Sequence, residues 1–277
     1  MKKITALIPC YNEAEGIADV IAKFPTEKLA AYGFTLEVLV IDNNSSDDTA
    51  AIARAAGARV ITEPKQGKGN AIRTGFYSIG EDTDYVVMLD GDDTYSSAEI
   101  FRLIEPIDAG FAKVIIGSRM HGKMRPGAMK KFNHFGNRVY SRLVRTVYNV
   151  TVTDVLTGYY AWSRDVIEEL RPHLQSQGFA IEMEMVTKMA RLGYQIYSVP
   201  VSYDPRLGES SLSPISDGIR ILRMYLRNLR WTPAGEDLKT FVNPIAEVQG
   251  MAAWKNVTRK LRLQRAQKVT NEDSVRL

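Results

Sequence analysis

Cysteine occurs once in 277 residues, at Cys10, which excludes an intrachain disulfide and suits a reducing compartment. No motif sets a base beside it, so Cys10 reads as a small core residue rather than a nucleophile. Long apolar runs are also missing: nothing approaches the ~18 consecutive apolar residues that span a bilayer. The opening "MKKITALIPCYNE" turns polar after only a few apolar residues, which predicts no signal peptide. No internal repeat or low-complexity tract is present. Aromatic residues are sparse around the arginine-rich C-terminal segments, which argues against stacking platforms for nucleic acid. The net charge of +4 is small, so its distribution matters more than its sum.

What is present has the composition of a soluble globular protein, 45% hydrophobic and 25% charged. "KITALIPCY" reads as a strand, followed by helical spacing of Ile17, Val20, Ile21 and Phe24 within residues 12–24. "TLEVLVIDN" is a second strand, closed by turn-formers from Asn43 to Asp47, and Ser46 or Asp47 could cap the alanine-rich helix that stops near Gly57. Strands "ARVIT", "DYVVMLD" and "AKVIIGS" alternate with helices in "KGNAIRTGFYSIG" and "SAEIFRLIEPI". Such alternation predicts an α/β fold with a mostly parallel sheet covered on both faces. Further on, an amphipathic helix begins near Lys131, and the helix "GFAIEMEMVTKMARLG" precedes the strand "QIYSVPVSY". Residues 1–212 are expected to form this domain, with 213–277 a basic, amphipathic helical appendage.

In sheets of this kind ligands bind beyond the carboxyl ends of the strands, and "VVMLDGDDTY" places Asp90, Asp92 and Asp93 at such an end. Gly91 permits a tight turn, so that Asp90 and Asp92 can face one point. Two hard oxygen donors with room for diphosphate oxygens suit Mg²⁺ or Mn²⁺. A solvated turn is the plain alternative for this tetrapeptide.

The series "ALIPCYNE", "VLVIDNNSSDDT", "GKGNAIRTGF", "VVMLDGDDTY", "IIGSRM", "DVLTGYYAWSRDVI" and "FAIEMEM", in this order, resembles the inverting glycosyltransferases of family 2, which have the GT-A fold. The likeness covers roughly residues 4–212, and "SVPVSYDPRLGESSLS" makes it most similar to the dolichyl- or polyprenyl-phosphate hexose synthases. The resemblance implies transfer of a hexose from a UDP- or GDP-sugar to a polyprenyl phosphate. Pro9, Tyr11, Glu13 and Asp42 match donor-binding positions, Lys68 lies in the donor-contact loop, and Asp90 and Asp92 match the metal pair. Arg119 and Arg206 match arginines that face substrate phosphate. An anionic lipid phosphate needs orientation and charge complementarity rather than a base, and Arg119, Arg125, Arg138 and Arg206 suit it. A sugar hydroxyl or a small phosphorylated acceptor remains the alternative. For a hydroxyl acceptor, Asp154 and Glu182 are the base candidates, with capping or pairing to arginines as their plain reading. The chain departs from the lipid-phosphate synthases at Ser211, where they usually carry lysine.

In "SPISDGIRILRMYLRNLRW", Ile215, Ile219, Leu222, Leu226 and Leu229 share one helical face while Arg220, Arg223, Arg227 and Arg230 share another. This pattern fits a helix lying on an anionic membrane surface, or one packed on its own domain or across a homo-oligomer. Trp254, Val257 and Leu261 repeat the theme. Peripheral association with the cytoplasmic membrane face is therefore expected.

Overall fold

Strand β1 (Lys2–Cys10) organises the sheet, and every residue of it from Ile4 onward is buried. A strand buried on both faces must lie at the centre of a layered fold. Its odd and even positions feed two cores: Ile4, Ala6 and Ile8 pack into one and Leu7 into the other. The computed structural model describes residues 1–206 and 213–233. The other strands are β2 (Phe34–Asp42), β3 (Arg59–Thr62), β4 (Tyr85–Met88), β5 (Val114–Ser118), β6 (Tyr160–Ser163) and β7 (Ile196–Pro200). They form one sheet of order β3-β2-β1-β4-β6-β5-β7. All pairs are parallel except those of β6, which runs antiparallel to both β4 and β5.

Helices α1 (Ile17–Ala22), α2 (Thr26–Ala31), α3 (Thr49–Ala55) and α5 (Ile100–Asp108) join the core that holds Ile4 and Ile8. Helices α4 (Lys68–Ser78), α6 (Lys131–Tyr148), α7 (Arg164–Leu170), α8 (Ile181–Arg191) and α9 (Pro214–Asn228) cover the opposite face. Trp162 of β6 anchors that side, stacked on Tyr160 at 5.0 Å and edge-on to Phe76 at 5.5 Å.

Several local expectations change in detail. The first helix starts at Ile17 rather than Asn12, because Asn12 takes a left-handed φ of 55° and its amide and side chain bind Ser45 and Ser46. Asp48, not Ser46 or Asp47, holds the N-cap position of α3, although Asp47 still accepts from the Thr49 amide at 3.0 Å. Strand β6 and helices α2 and α7 were not anticipated.

The compact unit extends to Pro233, because α9 packs against α8 and α6 instead of standing apart as an appendage. Ile221, Met224 and Tyr225 enter the core, and the Asn228 amide donates to the Thr187 hydroxyl at 2.8 Å. The predicted face of α9 behaves differently: Ile215, Ile219, Leu222 and Leu226 stay exposed, and only Leu229 packs on the core. The segment with Trp254, Val257 and Leu261, and the stretch with Ser210 and Ser211, lie outside the described residues. Among the described residues no helix is long and apolar enough to cross a membrane.

Candidate active site

Parallel pairing brings the functional stretches to one edge of the sheet. Cys10 pairs with Asp42 across β1 and β2, and Leu7 pairs with Met88, so the chain leaving β4 reaches that edge at Asp90. Strands β5 and β7 end there too, delivering Arg119 and the 203–206 segment. Because β6 runs the other way, its entry loop, with Leu156, Thr157 and Gly158, meets the same edge. A cleft of about 1030 Å³ lies there, lined by Pro9, Tyr11, Glu13, Lys68, Asp90, Asp92, Arg119, Glu182 and Arg206 among others. Asp42 is buried beneath it and accepts from the Ser45 amide at 3.3 Å.

The carboxylate turn is built with no spare volume. A side chain at Gly91 would place Cβ 2.5 Å from Cys10 Sγ, and one at Gly158 would come within 2.2 Å of Asp90 Oδ2. Burial pushes the Cys10 thiol pKa well up, with nearby carboxylates adding to it, in keeping with a packing role. Asp92 is buried, and its Oδ1 accepts from the Thr94 hydroxyl at 2.7 Å and amide at 3.2 Å. Asp93 turns away to pair with Lys23.

Two cations face this cluster. Lys68 Nζ bridges Asp90 Oδ1 at 2.7 Å and Glu182 Oε1 at 2.8 Å. Burial works against the charge on Lys68, but the two carboxylates outweigh it and raise its pKa. Glu182 is itself raised by burial, with Lys68 opposing. Arg206 Nη1 meets Asp92 Oδ2 at 3.0 Å, and Nη2 bonds Glu13. Burial pushes the Glu13 pKa up to about 8, opposed by Arg206 and reinforced by Asp92 and Asp90. Burial, then Asp90, likewise raises Asp92. The carboxylates Glu13, Asp90, Asp92 and Glu182 outnumber these cations, so the cluster is suited to a further positive charge. The Asp90–Asp92 turn fits a divalent ion whose remaining positions go to substrate oxygens and water.

Arg119 and Asp154 form a separate buried unit. Asp154 Oδ2 accepts from the Arg119 amide and Nε, both at 2.8 Å, and its Oδ1 accepts from Nη2 at 2.8 Å and from the Asn137 amide group. The guanidinium also lies 5.1 Å from the Tyr203 ring centre. Asp154 is fully buried and does not line the cleft. Arg125 pairs with Asp204 at 2.9 Å, and Arg138 is an exposed residue of α6.

One side chain that lines the cleft escaped the sequence reading. Asn43, taken there as a turn-former, accepts from the Gly67 amide at 2.6 Å and donates to the Lys65 and Glu63 carbonyls. It thereby fixes the loop that aims Lys68. Its only signal was its place at the carboxyl end of β2.

Comparison with known proteins gives the family and the fold. The family model for glycosyl transferase family 2 matches residues 5–171. Glycosyltransferase AglJ of Haloferax volcanii is 39% identical over 227 residues, covering 81% of this chain and 71% of its own. A dolichyl-phosphate hexose transferase of the same organism is 31% identical over 222 residues, 79% of this chain and 90% of its own. Among solved structures, glucosyl-3-phosphoglycerate synthase from Mycobacterium tuberculosis, in complex with Mn²⁺, UDP-glucose and phosphoglyceric acid, superposes with a TM-score of 0.64. It shares 21% identity, covering 86% of this chain and 85% of that one, and shows the GT-A fold. This chain belongs to glycosyl transferase family 2.

Proposed function

We propose that the protein moves a hexose from a nucleoside diphosphate sugar to a polyprenyl phosphate, with inversion, at the cytoplasmic membrane face. The observation that carries the choice of acceptor is the engagement of both base candidates. Asp154 is held by Arg119 and Asn137, and Glu182 by Lys68. A hydroxyl acceptor needs a base within hydrogen-bond reach, whereas a phosphate arrives as an anion. The dolichyl-phosphate hexose transferase named above points the same way.

In this reading Pro9, Tyr11, Glu13 and Asp42 frame the nucleotide and Lys68 meets the diphosphate. Asp90 and Asp92 would hold Mg²⁺ or Mn²⁺, which supplies Lewis-acid neutralisation of the departing diphosphate. Arg206 sits at the cleft, held by Asp92 and Glu13, and its buried Nε has no partner among the described residues. The exposed part of the guanidinium suits a phosphate oxygen. Arg119, locked by Asp154, lends fixed positive charge to the same space.

Purified protein should be offered a panel of UDP- and GDP-hexoses with polyprenyl phosphate and Mn²⁺, and the products weighed by mass spectrometry. A hexosyl polyprenyl phosphate is expected. Transfer only to a small water-soluble acceptor would overturn the lipid reading.

Two substitutions probe the assigned roles. Gly158→Ala pushes a methyl group into Asp90 and should raise the Mn²⁺ concentration for half-maximal activity about tenfold. An unchanged metal requirement would remove Asp90 from the metal site. Arg206→Ala should raise the acceptor KM or lower kcat by about tenfold or more, the scale of a lost charge-assisted bond, while donor affinity changes little. An equal loss of nucleotide binding would move Arg206 to the donor side.

A further inference from the structure

Helix α8 carries a second buried carboxylate, Glu184, that the cleft does not use. Glu184 and Lys188 stand one turn apart, both buried, and Glu184 Oε1 accepts from Lys188 Nζ at 2.6 Å. Burial lowers the Lys188 pKa even against the opposing pull of Glu184. An ion pair placed this way contributes little to stability by itself, because desolvation offsets its attraction. The partners it makes off the helix are more informative.

Those backbone partners lie in one short segment. Glu184 Oε2 accepts from the Ser176 amide at 2.7 Å and from the Gln175 amide at 3.1 Å. Lys188 Nζ donates to the His173 carbonyl, and the Trp231 ring covers it at 5.1 Å. Residues 174–177 belong to no helix or strand, so their backbone groups need partners from outside. The pair supplies them and pins the segment from within the core.

The other side of this segment meets the loop that aims Lys68. The Asn70 amide donates to the Gln177 carbonyl at 3.2 Å. A Cβ at Gly69 would lie 2.3 Å from the Ser176 carbonyl oxygen, and one at Gly67 2.3 Å from that of Gln177. Glycine on each side of Lys68 is what lets the two backbones come this near. Asn43 secures the same loop through the Gly67 amide. Lys68 is therefore held from the end of β2 on one side and from α8 on the other.

We infer that Glu184, with Lys188 as its counter-ion, is a positioning residue for the donor. It holds residues 175–177 as a shelf against Gly67–Gly69 and so sets where Lys68 Nζ meets the diphosphate. The inference rests on the role proposed for Lys68 and adds the support behind it. Glu184 does not line the cleft, so it reaches the donor through the shelf rather than by contact.

Two changes disturb the shelf from opposite sides. Glu184→Gln with Lys188→Met keeps the charge balance and leaves no buried ion stranded. Gly69→Ala pushes a methyl group into the Ser176 carbonyl and leaves the ion pair intact, so it carries the same comparison if the buried double variant does not fold. Wild type, both variants, and each of these combined with Lys68→Met are titrated calorimetrically with UDP and with GDP in Mn²⁺. Melting curves accompany every titration. Each shelf variant should weaken binding of the preferred nucleotide about tenfold when Lys68 is present, and less than about twofold once Lys68→Met is in place, the coupling of residues that share one network. An equal loss with and without Lys68 overturns the inference. So does a lower melting temperature or stoichiometry with an unchanged Kd, the signature of a purely structural pair. If wild type binds neither nucleotide, the proposed donor site falls and the positioning role falls with it.

Discussion

Asp92→Asn should lower hexose transfer by about 10²–10³-fold, the scale of losing one preorganised charge contact at a departing anion, without unfolding the protein. The amide keeps the shape of the side chain, and its oxygen can still accept from the Thr94 amide and hydroxyl. What it loses is the charge that would hold a divalent cation. Stability should move the other way. Burial and Asp90 both raise the Asp92 pKa, so the folded state disfavours the ionised form, and a neutral amide relieves that cost. The melting temperature is therefore expected to hold or rise as activity falls, a trade common at functional sites. EDTA should reproduce the loss in wild type, and Mn²⁺ or Mg²⁺ should reverse it. Full turnover of Asp92→Asn, or of wild type in chelator, would reduce the carboxylate turn to a turn.

The largest stability effect should come from Asp154→Ala. Truncation strands the Arg119 guanidinium in the interior, with the Leu156 carbonyl and Tyr203 left beside it but no carboxylate to balance its charge. Removing one member of a buried pair typically costs about 3–5 kcal/mol, since the remaining charge stays desolvated. Urea denaturation monitored by tryptophan fluorescence would measure it. Asp154→Asn should cost less, because its amide oxygen can still accept from Arg119. A base role predicts the reverse pattern, with Asp154→Asn stable and inactive. Unchanged stability in Asp154→Ala would dissolve the view of this pair as a structural unit that presents Arg119.

The legible parts of the fold were those governed by local rules. Strand β1 from Ile4, β2 from Leu39 and all of β4 are buried on both faces, so they read as apolar runs whatever their neighbours. The Asp90–Asp92 turn was legible for the same reason, as charge at the end of such a run. Strand β6 was not. Its four residues follow "DVLTGY" without alternation or a hairpin turn, and its partners lie some distance away in sequence. The orientation of α9 was hidden by excess: apolar residues occupy two faces, and the buried seam also carries Asp217 and Asn228. Periodicity then points to the cleaner stripe, which is the exposed one. Glu182 looked like a possible base because its partner Lys68 is far off in the chain. Only the folded chain, which sets the start of α4 against the start of α8, shows that the carboxylate is already paired.

The antiparallel strand also dictates the order in which the molecule can be assembled. Strand β5 is made before β6, yet β6 separates it from β4 in the sheet. A nascent chain that has reached Ser118 can pair β1 with β2, β3 and β4, but β5 has no edge to join until Tyr160–Ser163 arrives. Until then the free edge of β4 is an unpaired template at the centre of the future sheet, the kind of edge prone to wrong pairing. Closing it requires contacts between residues about 75 positions apart, a reach that the pairing of β1 with β4 also needs. During synthesis Gly158 should therefore come against Asp90 only once β6 is in place. The edge that carries Asp90 and Asp92 is complete only in that last step.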